Sequence, residues 1–514
     1  MTSLYDTSAL KALAIAGGAT AAVLSLLAIK YPDRAVFDEL REGVPNVPGV
    51  PLLGNLPKML SRTDDINDWT TETFEQANAL TCTASSLGLP FAIQTIDPRN
   101  VEHFLRVNFE NYVKGPHFSK STIDLLGHGI FNANGEQWRY QRKTASHIFN
   151  VKNFRDSFTD VFINELQIME KHILDEAAVT ADPVDLHDLF YRFTLDSFVL
   201  LGFGVNIHAM TRKDKVPFAV AFDECQRDSF VRFIDPFYSF NKLMSKIFTP
   251  WRMTADDHLK VLNSFAADVI ATRRKELAEG KSYGDLLSRF MNTRNETGEP
   301  LNDQELRDTI INILIAGRDT TAQALSWTFY NLMLHPRIES KLLEEINTHI
   351  VDGIESDAPA LYEVIKKMPY AHAVFYEVLR LHPPVPTNQK YALDDDVWPD
   401  GTIIRKGDYV LWSTYSAGRS EAIWGSDAKL FKPERWLTED GTLQKRSQGE
   451  WPVFHVGPRV CLGQNLATLE ALVAIVLLLK KYKFSLIPGQ KITYDASLTL
   501  PMKYGLKASV ERRS

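Results

Sequence analysis

Cysteine is scarce in this chain: 514 residues carry three, Cys82, Cys225 and Cys461, far apart and without a CxxC pair. That excludes a disulfide framework and a structural zinc site of the usual spacing, and it favours a reducing compartment for the body of the protein. An excess of basic residues is also missing. The 57 Lys and Arg face 64 Asp and Glu, a formal net charge of −7, so the basic face of a nucleic-acid binder is absent. There is no internal repeat and no low-complexity tract. Otherwise the composition is ordinary, 45% hydrophobic and 24% charged, enough for a large buried core.

What is present begins at the N-terminus. Ala12 to Ile29 holds no charged residue, between Lys11 and Lys30. About eighteen uncharged residues are the minimum that spans a bilayer core, so residues 1–30 are predicted to be a single membrane anchor. A cleaved signal peptide is the competing reading; Asp6 ahead of Lys11 leaves no clearly positive leader, which favours retention. Lys30, Arg34 and Arg41 follow, and basic residues after a span favour the cytoplasmic side. Residues 31–57 contain Pro45, Pro48, Pro51 and Pro57 with Gly49 and Gly54. Proline fixes φ and removes donors, so this stretch is predicted to be a stiff extended linker ahead of a catalytic domain at 58–514.

That domain reads as mainly α with small β-sheets, an α+β class. The longest helix is predicted to start at Asn302, an N-cap with Glu305 as its capping-box partner, and to stop near His335-Pro336. Arg307, Asp308, Arg318 and Asp319 exclude it as a membrane span, so it crosses the protein core. A second helix, from about Leu466 to Lys480, is apolar on all sides through Ala471 to Leu479 and is predicted to be buried. Between them, turn signals at Pro399-Asp400-Gly401 and Lys406-Gly407-Asp408 flank short β-prone runs.

A lone cysteine in apolar surroundings is usually a buried structural residue. The surroundings of Cys461 differ, in Phe454-His455-Val456-Gly457-Pro458-Arg459-Val460-Cys461-Leu462-Gly463. Gly457 and Pro458 force a turn, Gly463 admits close backbone approach, Arg459 brings positive charge, and a long apolar helix starts just afterwards. A thiol at a helix N-terminus near a guanidinium is stabilised as thiolate. That is the species that ligates haem iron, and its electron donation favours O–O cleavage. In Ala316-Gly317-Arg318-Asp319-Thr320-Thr321, mid-way along the long helix, Gly and Thr cost stability, and Thr can bond back to the preceding turn, so a local distortion is expected. Glu377 and Arg380 stand at i,i+3, as do many surface pairs. Trp138 and Arg142 stand at i,i+4 on one helical face. Gly202-Phe203-Gly204 lacks a third glycine and a preceding strand, so no dinucleotide loop is read there.

The run from Phe454 to Gly463 matches F-x-x-G-x-R-x-C-x-G, and on this ground the chain is identified as a member of the cytochrome P-450 superfamily. The resemblance extends over nearly the whole chain in the family's order. It implies the cytochrome P-450 fold behind one transmembrane helix, with non-covalent haem as cofactor. Cys461 would be the axial metal ligand, with Phe454 beside the sulfur and His455 an unremarkable position. Arg459, Trp138 and Arg142 would hold the propionates. Gly317, with Ala316 before it, would leave space for dioxygen, Thr320 would hold activated oxygen and order water, and Asp319 would relay protons. Glu377, Arg380 and Arg435, the last within Pro433-Glu434-Arg435-Trp436, would form a structural triad. Since nothing in the chain binds NADPH or flavin, electrons would come from NADPH–cytochrome P-450 reductase, with cytochrome b5 as an accessory donor, at the endoplasmic reticulum membrane with the catalytic domain facing the cytosol.

Ala316 to Thr321, Leu381-His382-Pro383-Pro384-Val385-Pro386, Trp398 to Thr402 and Phe431 to Trp436 are similar to the eukaryotic group that contains plant and fungal fatty-acid and alkane ω-hydroxylases. The resemblance therefore implies monooxygenation of a hydrophobic small molecule, a fatty acid or alkane, at a terminal or subterminal carbon. Steroids, terpenoids or xenobiotics are the alternative substrates. A reductase-independent isomerase or lyase is a further class, against which the Asp319-Thr320 pair argues. Animal relatives that esterify their haem carry Glu where this chain has Ala316. The channel is expected around Tyr112 to Leu126 and the helix face at Ile313 and Ala316.

Overall fold

A computed structural model describes residues 7–146, 154–295 and 298–513. The first helix, α1 (Thr7–Lys30), stands apart: its stretch Lys11–Lys30 has mean hydropathy 2.2, and none of it is buried by the rest of the chain. An apolar helix of this length without a protein partner has the dimensions of a membrane span.

The strands are short: β1 (Thr81–Ala84), β2 (Ala92–Thr95), β3 (Tyr112–Val113), β4 (Val184–Asp185), β5 (Thr387–Ala392), β6 (Asp396–Val397), β7 (Ile403–Ile404), β8 (Tyr409–Ser413), β9 (Tyr482–Leu486) and β10 (Lys507–Arg512). They form a five-stranded sheet in the order β1-β2-β8-β5-β3, a three-stranded sheet β4-β10-β9 and the pair β6-β7. In the first, β2 and β8 run parallel and the other neighbours antiparallel. The two β-prone runs around Gly407 thus join different sheets.

Helices make the body. Those that position the site are α2 (Pro116–Leu126), α3 (Gly135–Ser146), α4 (Leu186–Phe203), α5 (Pro217–Ile234), α6 (Tyr238–Phe248), α7 (Asp303–Leu314), α8 (Thr320–Leu334), α9 (Pro369–Leu381) and α10 (Gln464–Lys481). Helices α7 and α8 are one continuous rod joined by a π-turn at Ile315–Asp319. Its capping box is formed as the sequence predicts: Asn302 accepts from the Glu305 N–H at 3.0 Å, and Glu305 accepts from the Asn302 N–H at 2.8 Å. Every residue of Ala471–Leu479 is buried, so α10 is an interior helix and packs on α8. Gly204 caps α4 with a left-handed backbone.

The proline-rich stretch departs from a simple spacer. Tyr31, Ala35 and Val47 are buried, Val47 and Pro45 bond to Thr83 of β1, and Arg41 pairs with Asp408. The expected boundary at 57/58 falls inside a helix, Leu56–Ser61. Proline removes ladder donors but leaves carbonyls to accept, which is how Pro45 docks on the Thr83 N–H. Leu56 and Met59 pack with Trp69 and with Ile234 at the end of α5. The next helix, α6, buries no residue: Phe240, Leu243, Ile247 and Phe248 are exposed, and beyond it Trp251 is 76% exposed.

Candidate active site

Cys461 lies on the turn before α10. Its N–H donates to the Phe454 carbonyl at 2.8 Å, closing the loop that Gly457 and Pro458 bend. Gly457 has φ +66°, and a Cβ there would stand 2.4 Å from the Leu105 carbonyl oxygen, so only glycine fits. His455 also takes a positive φ, +67°, in a region costing a side chain of order 1–3 kcal/mol. It is strained rather than unremarkable. The Val456 N–H donates to its Nδ1 at 2.8 Å, and its ring meets Trp412 edge-on at 5.4 Å.

The thiol is solvent-accessible although protein surrounds it closely, so it opens onto an interior cavity. Burial pushes its pKa up, and the backbone of Gly463 and Gln464 and the Arg142 charge pull it down without reversing the shift. The cation that acts on the sulfur is Arg142, on α3, rather than the neighbouring Arg459. The protein around Cys461 thus favours the neutral thiol over the thiolate.

Arg459 points elsewhere. Its Nη2 donates to the Ala133 carbonyl at 2.7 Å and its guanidinium lies 4.5 Å over the ring of Trp138, while Nε has no partner among the described residues. Arg142 lies over the same ring at 5.8 Å. Two lysines join them. Burial, then Arg459, lowers Lys114 to about 7; Lys390 is buried with no hydrogen-bond partner for Nζ and is pushed well down by burial, Arg459 and Lys114. Arg459 itself is lowered to about 10 by burial and Arg142. No carboxylate among the described residues contributes to these shifts. A buried cluster of cations without counter-charge beside an accessible thiol fits a dianionic ligand that carries a metal, and haem with its two propionates has that charge and chemistry. Lys114 and Lys390 carry no motif, and sequence reading missed both.

The second wall comes from the rod. Ala316 is exposed and Thr320 partly so, in a helix otherwise almost wholly buried, so both line interior space. Thr320 Oγ1 donates to the Ala316 carbonyl at 2.7 Å, the back-bond expected of a threonine at a helix distortion. Burial pushes Glu470 of α10 well up against the opposing influence of the Thr321 side chain, which places the start of α8 beside α10 six residues, or roughly 9 Å, along the helix from Gln464. The π-turn leads into α8 and the Cys461 turn leads into α10, two helices that pack on each other. Two neighbours turn away from Thr320. Asp319, fully buried, accepts from Gln226 of α5 at 2.5 Å and pairs with Arg318 at 2.9 Å. Arg318 also pairs at 2.8 Å with Asp223, which borders a polar cleft of about 380 Å³ open to solvent. Burial raises Asp319 to about 7, against the opposing Arg318 charge. Gly317 faces α4 rather than the cavity: a Cβ there would collide with Phe198.

Glu377 and Arg380 of α9 are both fully buried and meet at 2.7 Å, with Arg435 adding a bond to Glu377 at 2.8 Å. The Trp436 indole N–H reaches the same carboxylate at 2.9 Å; its ring meets Trp451 at 4.9 Å, and Trp451 meets Phe454 at 5.7 Å. The triad is in this way connected to the cysteine loop.

Residues 45–507 match the family model "Cytochrome P450". The chain is 36% identical over 503 residues to "Cytochrome P450 704B1" of Arabidopsis thaliana, covering 90% of this chain and 94% of that protein. It is 38% identical over 432 residues to "Cytochrome P450 86B1" of the same plant, covering 82% and 77%. With "Cytochrome P450 monooxygenase cyp1" of Mycosarcoma maydis it shares 35% identity over 511 residues, covering 95% and 78%. Fold, thiol loop and these likenesses agree: the chain belongs to the cytochrome P-450 family, haem-thiolate monooxygenases that use dioxygen, a separate electron donor and a hydrophobic substrate.

Proposed function

We propose that this chain hydroxylates fatty acids or alkanes at a terminal or subterminal carbon. Electrons come from NADPH through NADPH–cytochrome P-450 reductase, with cytochrome b5 as an accessory donor. What carries the substrate class is the wording of Ala316–Thr321, Leu381–Pro386, Trp398–Thr402 and Phe431–Trp436, shared with the plant and fungal ω-hydroxylase group. The exposed apolar surface of α6 supports it, because such a face can lie against lipid, where a hydrophobic substrate resides. The membrane is that of the endoplasmic reticulum, crossed once by α1, with Lys30, Arg34 and Arg41 on the cytosolic side.

Haem held by Cys461 supplies dioxygen activation and insertion of one oxygen atom into a C–H bond. Arg142, Arg459 and Trp138 would hold its propionates together with Lys114 and Lys390, whose charges are otherwise uncompensated. Ala316 offers no carboxyl for an ester, so binding is non-covalent. Thr320 Oγ1, whose proton is engaged by the Ala316 carbonyl, presents its lone pairs to the cavity and orders water there. Asp319, raised to about 7 by burial, is the titratable group next to Thr320, and its partner Arg318 pairs with Asp223 at the edge of the solvent-open polar cleft, so Asp319 is the residue placed to carry protons from solvent toward the site. Incubation with reductase, NADPH and a panel of long-chain fatty acids, with products read by mass spectrometry, tests the proposal. Hydroxylation at or next to the methyl end is expected; turnover of only steroids or terpenoids refutes the substrate class.

A further inference from the structure

The rod formed by α7 and α8 leaves α geometry only at Ile315–Asp319. A π-turn is rare and has to be favoured by its surroundings. Two contacts from α4 converge on it from the side away from Ala316 and Thr320. Thr194 is fully buried and has one hydroxyl proton; the Arg318 carbonyl across the interface, at 2.8 Å, lies nearer than the Phe190 carbonyl of its own helix, at 3.0 Å. One turn further on, Phe198 lies on Gly317: a Cβ at that position would stand 2.2–2.3 Å from three ring carbons. That is more than about 1 Å inside van der Waals contact. Thr194 and Phe198 share one face of α4, so the bond and the packing act together.

We propose that Thr194 and Phe198 are positioning residues for the oxygen side of the site, holding the π-turn from behind, and that residue 317 is glycine to admit the Phe198 ring. The turn sets how far Ala316 and Thr320 stand from the Cys461 side. A methyl at 317 pushes the rod off α4 and into the cavity. This rests on the reading that Ala316 and Thr320 face the haem, and Thr320→Ala tests that reading separately.

The test compares full-length holoenzyme with Gly317→Ala, Gly317→Ala/Phe198→Ala, Thr194→Val and Thr194→Ser. Three quantities are read: the spin state of the substrate-free haem from its absorption spectrum, peroxide released per NADPH, and the melting temperature. Gly317→Ala and Thr194→Val should each shift the spin state and raise peroxide release about threefold or more. Removing the Phe198 ring should restore much of the coupling lost in Gly317→Ala, and Thr194→Ser, which keeps the hydroxyl, should resemble wild type. A double variant no better than Gly317→Ala overturns the account. So do Gly317→Ala and Thr194→Val variants that only melt earlier, with spin state and coupling unchanged. Should Gly317→Ala not fold, the Thr194 pair decides. Normal coupling in Thr320→Ala would instead remove the reading on which the proposal rests.

Discussion

Replacing Glu377 by Gln should uncouple the Cys461 loop from its support. Five donors converge on the Glu377 carboxylate: Arg380 Nε and Nη2, Arg435 Nε, the Lys432 N–H and the Trp436 indole N–H, all at 2.7–2.9 Å. Oε1 receives three and Oε2 two. A glutamine amide offers one acceptor oxygen and turns an NH2 toward the remaining donors, so whichever way it flips at least two lose their partner. The negative charge that compensates buried Arg380 is lost as well. Breaking one side of a buried pair costs about 3–5 kcal/mol, a large share of a total stability of about 5–15 kcal/mol. The damage reaches the haem site through Trp436, Trp451 and Phe454, whose carbonyl accepts from the Cys461 N–H. Denaturant or thermal unfolding, with haem content per folded protein, is the assay. Glu363→Gln is the control: Glu363 makes the same i,i+3 kind of pair with Lys366, both side chains half exposed, and its loss should cost under about 1 kcal/mol. If Glu377→Gln matches this control in stability and in haem content, the convergence of donors is not what holds the loop.

Three further outcomes are expected. Thr320→Ala should still consume NADPH but release peroxide in place of product; fully coupled turnover would contradict the role given to its hydroxyl. In haem-stripped protein, Lys114 has a folded pKa of about 7 against an ordinary lysine value of about 10.4, so the native state binds fewer protons in that window and stability should rise with pH across it. The slope should shrink on haem loading and in Lys114→Met, and an equal slope in all three would refute the uncompensated-cation argument. Trp251 should be quenched by brominated acyl chains when the full-length protein is placed in bilayers, and a Trp251→Phe variant that quenches as much as wild type would remove α6 from the membrane surface.

Legibility in the sequence followed the range of the interactions. The cysteine loop could be read because its turn, charge and helix start lie within ten consecutive residues, and the Asn302 cap because it is completed three residues on. The back-bond of Thr320 is also local, so a distortion could be expected there, though not that it is a π-turn. Gly317 could not be understood locally, since the ring that requires it belongs to Phe198, on another helix. Lys114 and Lys390 sit on a loop and a strand that no pattern connects, and only the fold brings their charges together. Arg459 was legible as a cation near Cys461, but its direction, over Trp138 and away from the sulfur, is set by Ala133 and Asn134. The proline stretch after α1 reads as a spacer because its docking uses backbone carbonyls, which composition does not reveal.

The central claim is that Cys461 is the ligand through which this protein works, and the absorption spectrum of the reduced protein under carbon monoxide tests it most directly. Wild type should show the long-wavelength Soret band from which the family takes its name. Cys461→His should still bind haem, held by Arg142, Arg459, Lys114 and Lys390, but with the band shifted to the shorter wavelength of imidazole ligation and with monooxygenase activity lost. An unshifted band in Cys461→His, or its absence from wild type that carries a full complement of haem, would contradict the account.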